Sequence, residues 1–399
     1  MAQNIEEFRN SLPVGDLAII PLESCNNMGE AVNQYIIDWR TERDAVLNTV
    51  GEDLKDSYIV KAKCSRFGSG EAKGSIEESI RGKDLYILVD VTNFSITYSL
   101  SGLTNHMSPD DHYGDLKRII TAAAGKARRI NVIMPFLYES RQHKRMGRES
   151  LDCANALQEL CSLGVENILT FDAHDPRIQN AIPNSGFDNI MPHYQFIKAL
   201  FANIPDLQVD ADHMMIISPD EGAMWRAVYY SNVLGLDMGM FYKRRDYSKV
   251  VDGKNPIVAH EFLGSSVEGK DVLIIDDMIS SGDSMLDVAY QLKQRKARRV
   301  FCCATFGLFT NGMKKFDEYY EKGIISRVLT TNAIYQKSEL FERSYYISVD
   351  ISKYIALLID KINYDHSISG LLDPSAKIRK ALDYYNAHHT IESDDVDIF

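Results

Sequence analysis

The chain contains no apolar run approaching ~18 residues, so a membrane-spanning helix is not expected. Its start, MAQNIEEFRN, carries acids where a secretory leader would need a basic and then an apolar segment, so a cytoplasmic protein is the expectation. Cysteine is sparse. The six thiols (Cys25, Cys64, Cys153, Cys161, Cys302, Cys303) are scattered, mostly in apolar patterns, and no CxxC pair has metal-ligand spacing, so they read as reduced core residues. Positive charge is in deficit, 44 Lys and Arg against 56 Asp and Glu, a formal net charge of −12. That balance argues against a nonspecific nucleic-acid coat. It also means that any site for anionic phosphates depends on local Lys or Arg, backbone N–H groups or a divalent cation.

What remains is ordinary globular material, with 45% hydrophobic and 25% charged residues over 399 positions, enough for two domains that each bury a core. Short apolar runs alternate with helical spacing along the chain. Asp16–Leu22, Ser57–Cys64, Leu85–Val91, Ile130–Phe136, Asn167–Asp172, Met214–Ser218, Met238–Lys243, Val272–Ile275, Val300–Phe306 and Ile325–Thr330 read as strands, many with polar residues at their ends. Helical patterns fall over Met28–Arg43, between Leu116 and Ala123, around Ala154–Cys161, from about Gly222, after Ser284, over Ile351–Ile362 and over Lys377–His388. This alternation predicts an α/β fold in which ligands gather at strand ends.

The richest stretch is VLIIDDMISSGDSMLD, Val272–Asp287. A buried-type strand ends in the carboxylates Asp276 and Asp277, and the small-residue turn Ser280, Ser281, Gly282, Asp283, Ser284 opens a helix. Backbone N–H groups of such a turn favour a phosphate, and carboxylates at the strand end can accept bonds from ribose hydroxyls. A strand end followed by an Asp/Ser helix cap is the plain alternative. Elsewhere, Phe67–Ser75 is a Gly-rich turn that could cradle phosphate or be only a loop, and Tyr138–Arg148 is basic (Arg141, Lys144, Arg145, Arg148). In FDAHDPRIQ, Asp172 and His174 could approach one cation. Asp220 and Glu221 follow a strand, and Lys243–Pro256 has the composition of a mobile flap. Asn93–Asp111 is polar without clear periodicity, long enough to be a functional insert.

In their order, CSRFGSGEAKGSIEESIRGKD, MPFLYESRQHKR, FDAHDPRIQ, IISPDEGA, the YKRRD flap start, VLIIDDMISSGDS and TTNAI resemble the ribose-phosphate pyrophosphokinase (phosphoribosyl pyrophosphate synthetase) family, from about Asp16 to Asp373. The resemblance implies two phosphoribosyltransferase-like domains, each a mainly parallel sheet flanked by helices. The expected division is an arm at 1–15, a first domain at 16–186, a second at 187–350, a helix near 351–373 packing back on the first, and an extension at 374–399. It also implies transfer of pyrophosphate from Mg-ATP to the 1-hydroxyl of ribose 5-phosphate, giving phosphoribosyl pyrophosphate and AMP, in a homo-oligomer (dimer or hexamer) with no nucleic-acid or membrane partner.

By the same resemblance Asp276, Asp277 and the Ser280, Ser281, Gly282, Asp283, Ser284 loop would hold ribose 5-phosphate, and His174 and Asp220 would hold Mg2+. Phe67, Glu71, Arg141 and Gln142 would contact ATP, and Lys243 and Arg245 would be the catalytic charges of the flap. The chain departs from the family pattern at Ser69 and Ser280, where acids are usual, at His143 in place of Asp, and at Asp283 in place of Gly. Those departures leave open a noncatalytic regulatory subunit binding nucleotide or sugar phosphate, and the acidic-pair loop, shared with phosphoribosyltransferases, leaves open a phosphoribosyltransferase.

Overall fold

The computed structural model describes residue 8 and residues 11–47, 55–245 and 257–388. The first half runs β1 (Leu17–Pro21), α1 (Asn26–Leu47), β2 (Ala62–Arg66), β3 (Ala72–Ile76), β4 (Asp84–Leu88), β5 (Thr97–Leu100), β6 (Leu103–His106), α2 (Pro109–Ala123), β7 (Arg129–Ile133), α3 (Asp152–Ser162), β8 (Asn167–Phe171) and β9 (Gly186–Ile190). Strands β1, β4, β7, β8 and β9 form one parallel sheet in that order. Two antiparallel hairpins, β2–β3 and β5–β6, stand outside it. Position 187, the expected start of the second domain, falls inside β9, so the chain leaves the first sheet only after Ile190.

The second half runs α4 (His193–Asn203), β10 (Met214–Ser218), α5 (Met224–Leu234), β11 (Asp237–Arg245), β12 (Ile257–Leu263), β13 (Asp271–Ile279), α6 (Asp283–Gln294), β14 (Val300–Gly307), α7 (Lys314–Glu321), β15 (Arg327–Thr331) and β16 (Tyr346–Val349). Its sheet has the order β12-β11-β10-β13-β14-β15-β16, parallel except where β11 meets β12. Burial on both faces follows from the period of two. Leu273 and Ile275 of β13 join a cluster with α4 and α5, whereas Val272 and Ile274 join one with α6.

Three helices end the described chain: α8 (Ser352–Asn363), α9 (Ser369–Leu372) and α10 (Ser375–His388). Ile355, Leu358 and Ile359 of α8 belong to the core of the first half, and Ile378, Ala381 and Tyr385 of α10 to that of the second. Buried Asp360 on α8 accepts from Arg40 and Arg43 of α1, each at 2.9 Å, which gives α8 a fixed seat.

The stretch Asn93–Asp111 is structured. It holds the β5–β6 hairpin and the start of α2, where Ser108 and Asp111 form a reciprocal capping box behind Pro109. Alternation across the hairpin is concealed because both its faces are largely polar. In Asp44–Asp56, expected to be a connection, α1 continues to Leu47, and 48–54 lie outside the described residues. Of the flap stretch only 243–245 are described, as the end of β11; 246–256 lie outside.

Candidate functional site

In the second sheet the strand order reverses between β10 and β13: from β10 the chain goes outward to β11, then returns to lay β13 on β10's other side. The carboxyl ends of strands on either side of such a switch diverge into a crevice that open α/β sheets use for ligands. Here β13 outruns its neighbour. It pairs with β10 only as far as Ile274 but with β14 as far as Ile279, so Asp276 and Asp277 lie on a strand edge left open beside the β10 end. The strand therefore extends through the acidic pair rather than ending at Ile275.

Asp277 is buried, and His174 from the other half reaches it, Nδ1 lying 2.6 Å from Oδ2. Arg226 on α5, 2% exposed, places Nη2 3.7 Å from the same oxygen and Nε 2.6 Å from Oδ1 of Asp172, which follows β8 in a left-handed conformation (φ 39°). Thr305 Oγ1 donates to the other Asp172 oxygen at 2.6 Å. Both oxygens of Asp172 are thus taken by the second half of the molecule. Asp172 acts as a clamp between the two sheets, not as a partner to His174 at a cation.

The acidic pair is electrically asymmetric. Burial, with repulsion from Asp277 and Asp220, pushes the Asp276 carboxyl well above its ordinary value. Burial also opposes ionisation of Asp277, but the bond from His174 and the charge of Arg226 outweigh it and hold that carboxyl below the usual range. The pair holds one proton more readily than two negative charges, a donor beside an acceptor, which suits neighbouring sugar hydroxyls.

The following loop is shaped by α7. Gly282 has φ 86°, and a Cβ there would lie 2.4 Å from the Phe316 ring, so conformation and space both require glycine. Asp283, the first residue of α6, turns its carboxylate onto Lys315 Nζ (2.5 Å) and Ser281 Oγ (3.0 Å), which hold it below the usual carboxylate range. Ser280 fixes the loop by accepting the Thr310 N–H at its carbonyl, 2.9 Å.

The other expected residues spread around the crevice. Asp220 follows β10 and accepts the N–H groups of Gly222 (2.9 Å) and Ala223 (3.3 Å) at Oδ1. Arg141 is exposed after β7, and Gln142 donates to the Ser150 carbonyl at 2.7 Å. His143 has Nε2 3.3 Å from Asp175 Oδ2, its ring 5.4 Å from that of His174; burial holds it below the ordinary imidazole value. Phe67 and Glu71 form the tip of the β2–β3 hairpin, where Ser69 Oγ donates to Glu71 at 2.8 Å. Lys243 and Arg245 end β11, and their side chains lie outside the described residues. The structure thus brings His174 onto Asp277 directly and sets Asp220 near enough for its charge to act on Asp276, while the Phe67–Glu71 tip bonds to the β5–β6 hairpin.

Among the described residues no group of three or more His, Cys, Asp or Glu is arranged to hold a metal ion. The donor set fits a cation shared with a ligand. With Nδ1 on the Asp277 carboxylate, His174 keeps the lone pair of Nε2, the arrangement that metal-ligating histidines use. Mg2+ takes few protein ligands and completes its shell with phosphate oxygens and water.

Two halves, each with a mainly parallel sheet and the second carrying an acidic strand end before a small-residue loop, define a protein of the phosphoribosyltransferase-like class. Residues 17–164 match the model for the N-terminal domain of ribose phosphate pyrophosphokinase, and residues 185–340 match the phosphoribosyl transferase domain. The chain belongs to the ribose-phosphate pyrophosphokinase family. It is 28% identical over 317 residues to a ribose-phosphate pyrophosphokinase from Vibrio parahaemolyticus, covering 78% of this chain and 91% of that one. A ribose-phosphate pyrophosphokinase of Staphylococcus epidermidis is 27% identical over 321 residues, 79% of this chain and 90% of its relative. In fold, the crystal structure of phosphoribosylpyrophosphate synthetase from Mycobacterium smegmatis superposes with a TM-score of 0.67 at 20% identity, over 87% of this chain and 98% of that one.

Arg226, Thr305 and Lys315 were not singled out from sequence. A lone Arg in a helix and a Thr in a strand carry no signal of a partner 54 or 133 positions away.

Proposed function

We propose that the chain transfers the pyrophosphoryl group of ATP to the 1-hydroxyl of ribose 5-phosphate, releasing phosphoribosyl pyrophosphate and AMP. The observation that carries this reading is the acidic pair at the switch point, gripped from the other half by His174 at 2.6 Å and followed directly by the Gly282 loop. Asp277, ionised, accepts from one ribose hydroxyl and Asp276 engages the next. The 5-phosphate lies on the N–H groups of the loop at the start of α6, where the helix dipole favours an anion. Lys315 turns Asp283 aside from that phosphate.

His174, through Nε2, and Asp220 would hold Mg2+, which when bound neutralises triphosphate charge and makes the β-phosphorus a better electrophile. Phe67, Glu71, Arg141 and Gln142 contact ATP. Lys243 and Arg245 close over the phosphates and stabilise the charge that develops as AMP leaves. The working form is a homo-oligomer.

Purified protein given Mg-ATP and ribose 5-phosphate should release AMP only when both are present. Nucleotide binding without any turnover, tried across several divalent metals, would instead indicate a regulatory subunit.

A further inference from the structure

The β2–β3 hairpin is only a two-stranded ribbon, and such a ribbon is marginally stable in water unless something braces it. Along its length α2 does so: Arg66, the last residue of β2 before the turn, pairs with Asp115 at 2.8 Å, and Gly74, midway along β3, lies so close to Arg118 that a Cβ would come within 2.8 Å of that side chain. At its tip, the Phe67–Glu71 turn, the support is the β5–β6 hairpin. The Ser101 N–H donates to the Gly68 carbonyl at 2.8 Å, tip to tip. Gly70, at φ 92°, has Leu100 so near that a Cβ would sit 2.8 Å from its Cδ1. Tyr98 lays its ring 4.7 Å from the Arg66 guanidinium carbon and donates from its hydroxyl to Asp111 at 3.2 Å, tying the end of β2 beside the turn to the helix. The Ser101–Gly102 turn, with φ of 50° and 81°, matches the twist of tight hairpins. Phe67 is left 58% exposed, its ring uncovered by the brace.

We propose that the β5–β6 hairpin is a positioning element for nucleotide: it holds the Phe67–Glu71 turn in the form that receives the purine of ATP. This rests on the reading of that turn as part of the ATP site. The hairpin touches no substrate itself; it fixes the turn through the Gly68 carbonyl, the close approach at Gly70 and the stacked Arg66.

The chain can be shortened without straining the remainder, because Met107 N–H already donates to the Ile96 carbonyl at 2.9 Å. Replacing residues 97–106 by Asn-Gly joins two positions that are paired across a ladder. The shortened enzyme should show a KM for ATP raised about tenfold or more, the scale of loosening a positioned contact, with the KM for ribose 5-phosphate within about twofold of the parent. Tyr98→Ala should give part of that rise. Tyr98→Phe, which keeps the ring over Arg66, should recover most of it. An unchanged KM for ATP in the shortened enzyme overturns the proposal, as does an equal rise for both substrates with a lowered unfolding midpoint. Should the parent release no AMP, the reading of function fails instead, and calorimetric titration of ATP into both proteins still decides the hairpin's role by whether affinity falls.

Discussion

Replacing Arg226 by Met tests the clamp between the two halves. The guanidinium is 2% exposed, 2.6 Å from Asp172 and 3.7 Å from Asp277, whose side chains are 2% and 4% exposed. Met fills much of the volume but leaves two carboxylates facing each other without their shared cation. Asp172 would retain the Thr305 hydroxyl, and Asp277 would retain His174 and its neighbour Asp276. An exposed pair would contribute little, because solvent screens it. A buried ion pair broken from one side costs about 3–5 kcal/mol, because the remaining charge has no solvent to turn to. We expect a loss on that scale in urea unfolding followed by circular dichroism at pH 7. Arg226→Lys should fall between, since it keeps the charge but loses the planar fork that reaches both acids and the Ala173 carbonyl. Adding Asp172→Asn to Arg226→Met should recover part of the loss, because one orphan charge disappears while an acceptor for Thr305 remains. A loss under about 1 kcal/mol for Arg226→Met, or strict additivity in the double variant, would refute the clamp as a charge-compensated unit.

Lys315→Met should raise the KM for ribose 5-phosphate roughly 2- to 5-fold and leave that for ATP alone, the scale of one exposed charge contact, with Asp283→Asn restoring it in the double variant. Steady-state kinetics in which the double variant stays as impaired as Lys315→Met would show that the lysine does more than offset Asp283. Lys243→Ala should lower kcat at least ~100-fold with little change in substrate affinity, and near-normal kcat would remove Lys243 from the chemistry. Burial raises the Asp90 carboxyl from 3.8 to about 6, against bonds from Thr92 and Tyr335. A raised acid stabilises the folded state below its unfolded pKa, and that contribution is lost as pH rises through about 6. The wild type should therefore lose ~2 kcal/mol more than Asp90→Asn between pH 4 and pH 7, and parallel pH profiles of unfolding free energy would contradict this.

Much of the site was legible because its parts are local. A buried-strand pattern, two acids and a small-residue turn in sixteen successive positions, 272–287, are enough to write a strand, a strand end and a helix start. Glycine at 282 is demanded by a left-handed backbone within that same turn. Likewise the SPDEGA and FDAHD stretches declare strand ends by their own composition. The β5–β6 hairpin escaped detection because its residues are largely exposed on both faces, so no apolar period marks it. Asp172 looked like a cation ligand from its spacing to His174, but spacing does not reveal where a carboxylate points.

The amino-acid sequence by itself determined the alternating α/β plan and which polar stretches gather near strand ends, because these follow from side-chain periodicity and turn chemistry over a few residues. Only the tertiary structure decided which of those ends meet. The reversal of strand order beside β13 opens the crevice, and Arg226 crosses from one sheet to the acid of the other. Lys315, thirty-two positions beyond Asp283, supplies the charge that turns that acid aside. Both pairings depend on topology, and that of Arg226 on low-dielectric burial as well, and neither is encoded in neighbouring residues.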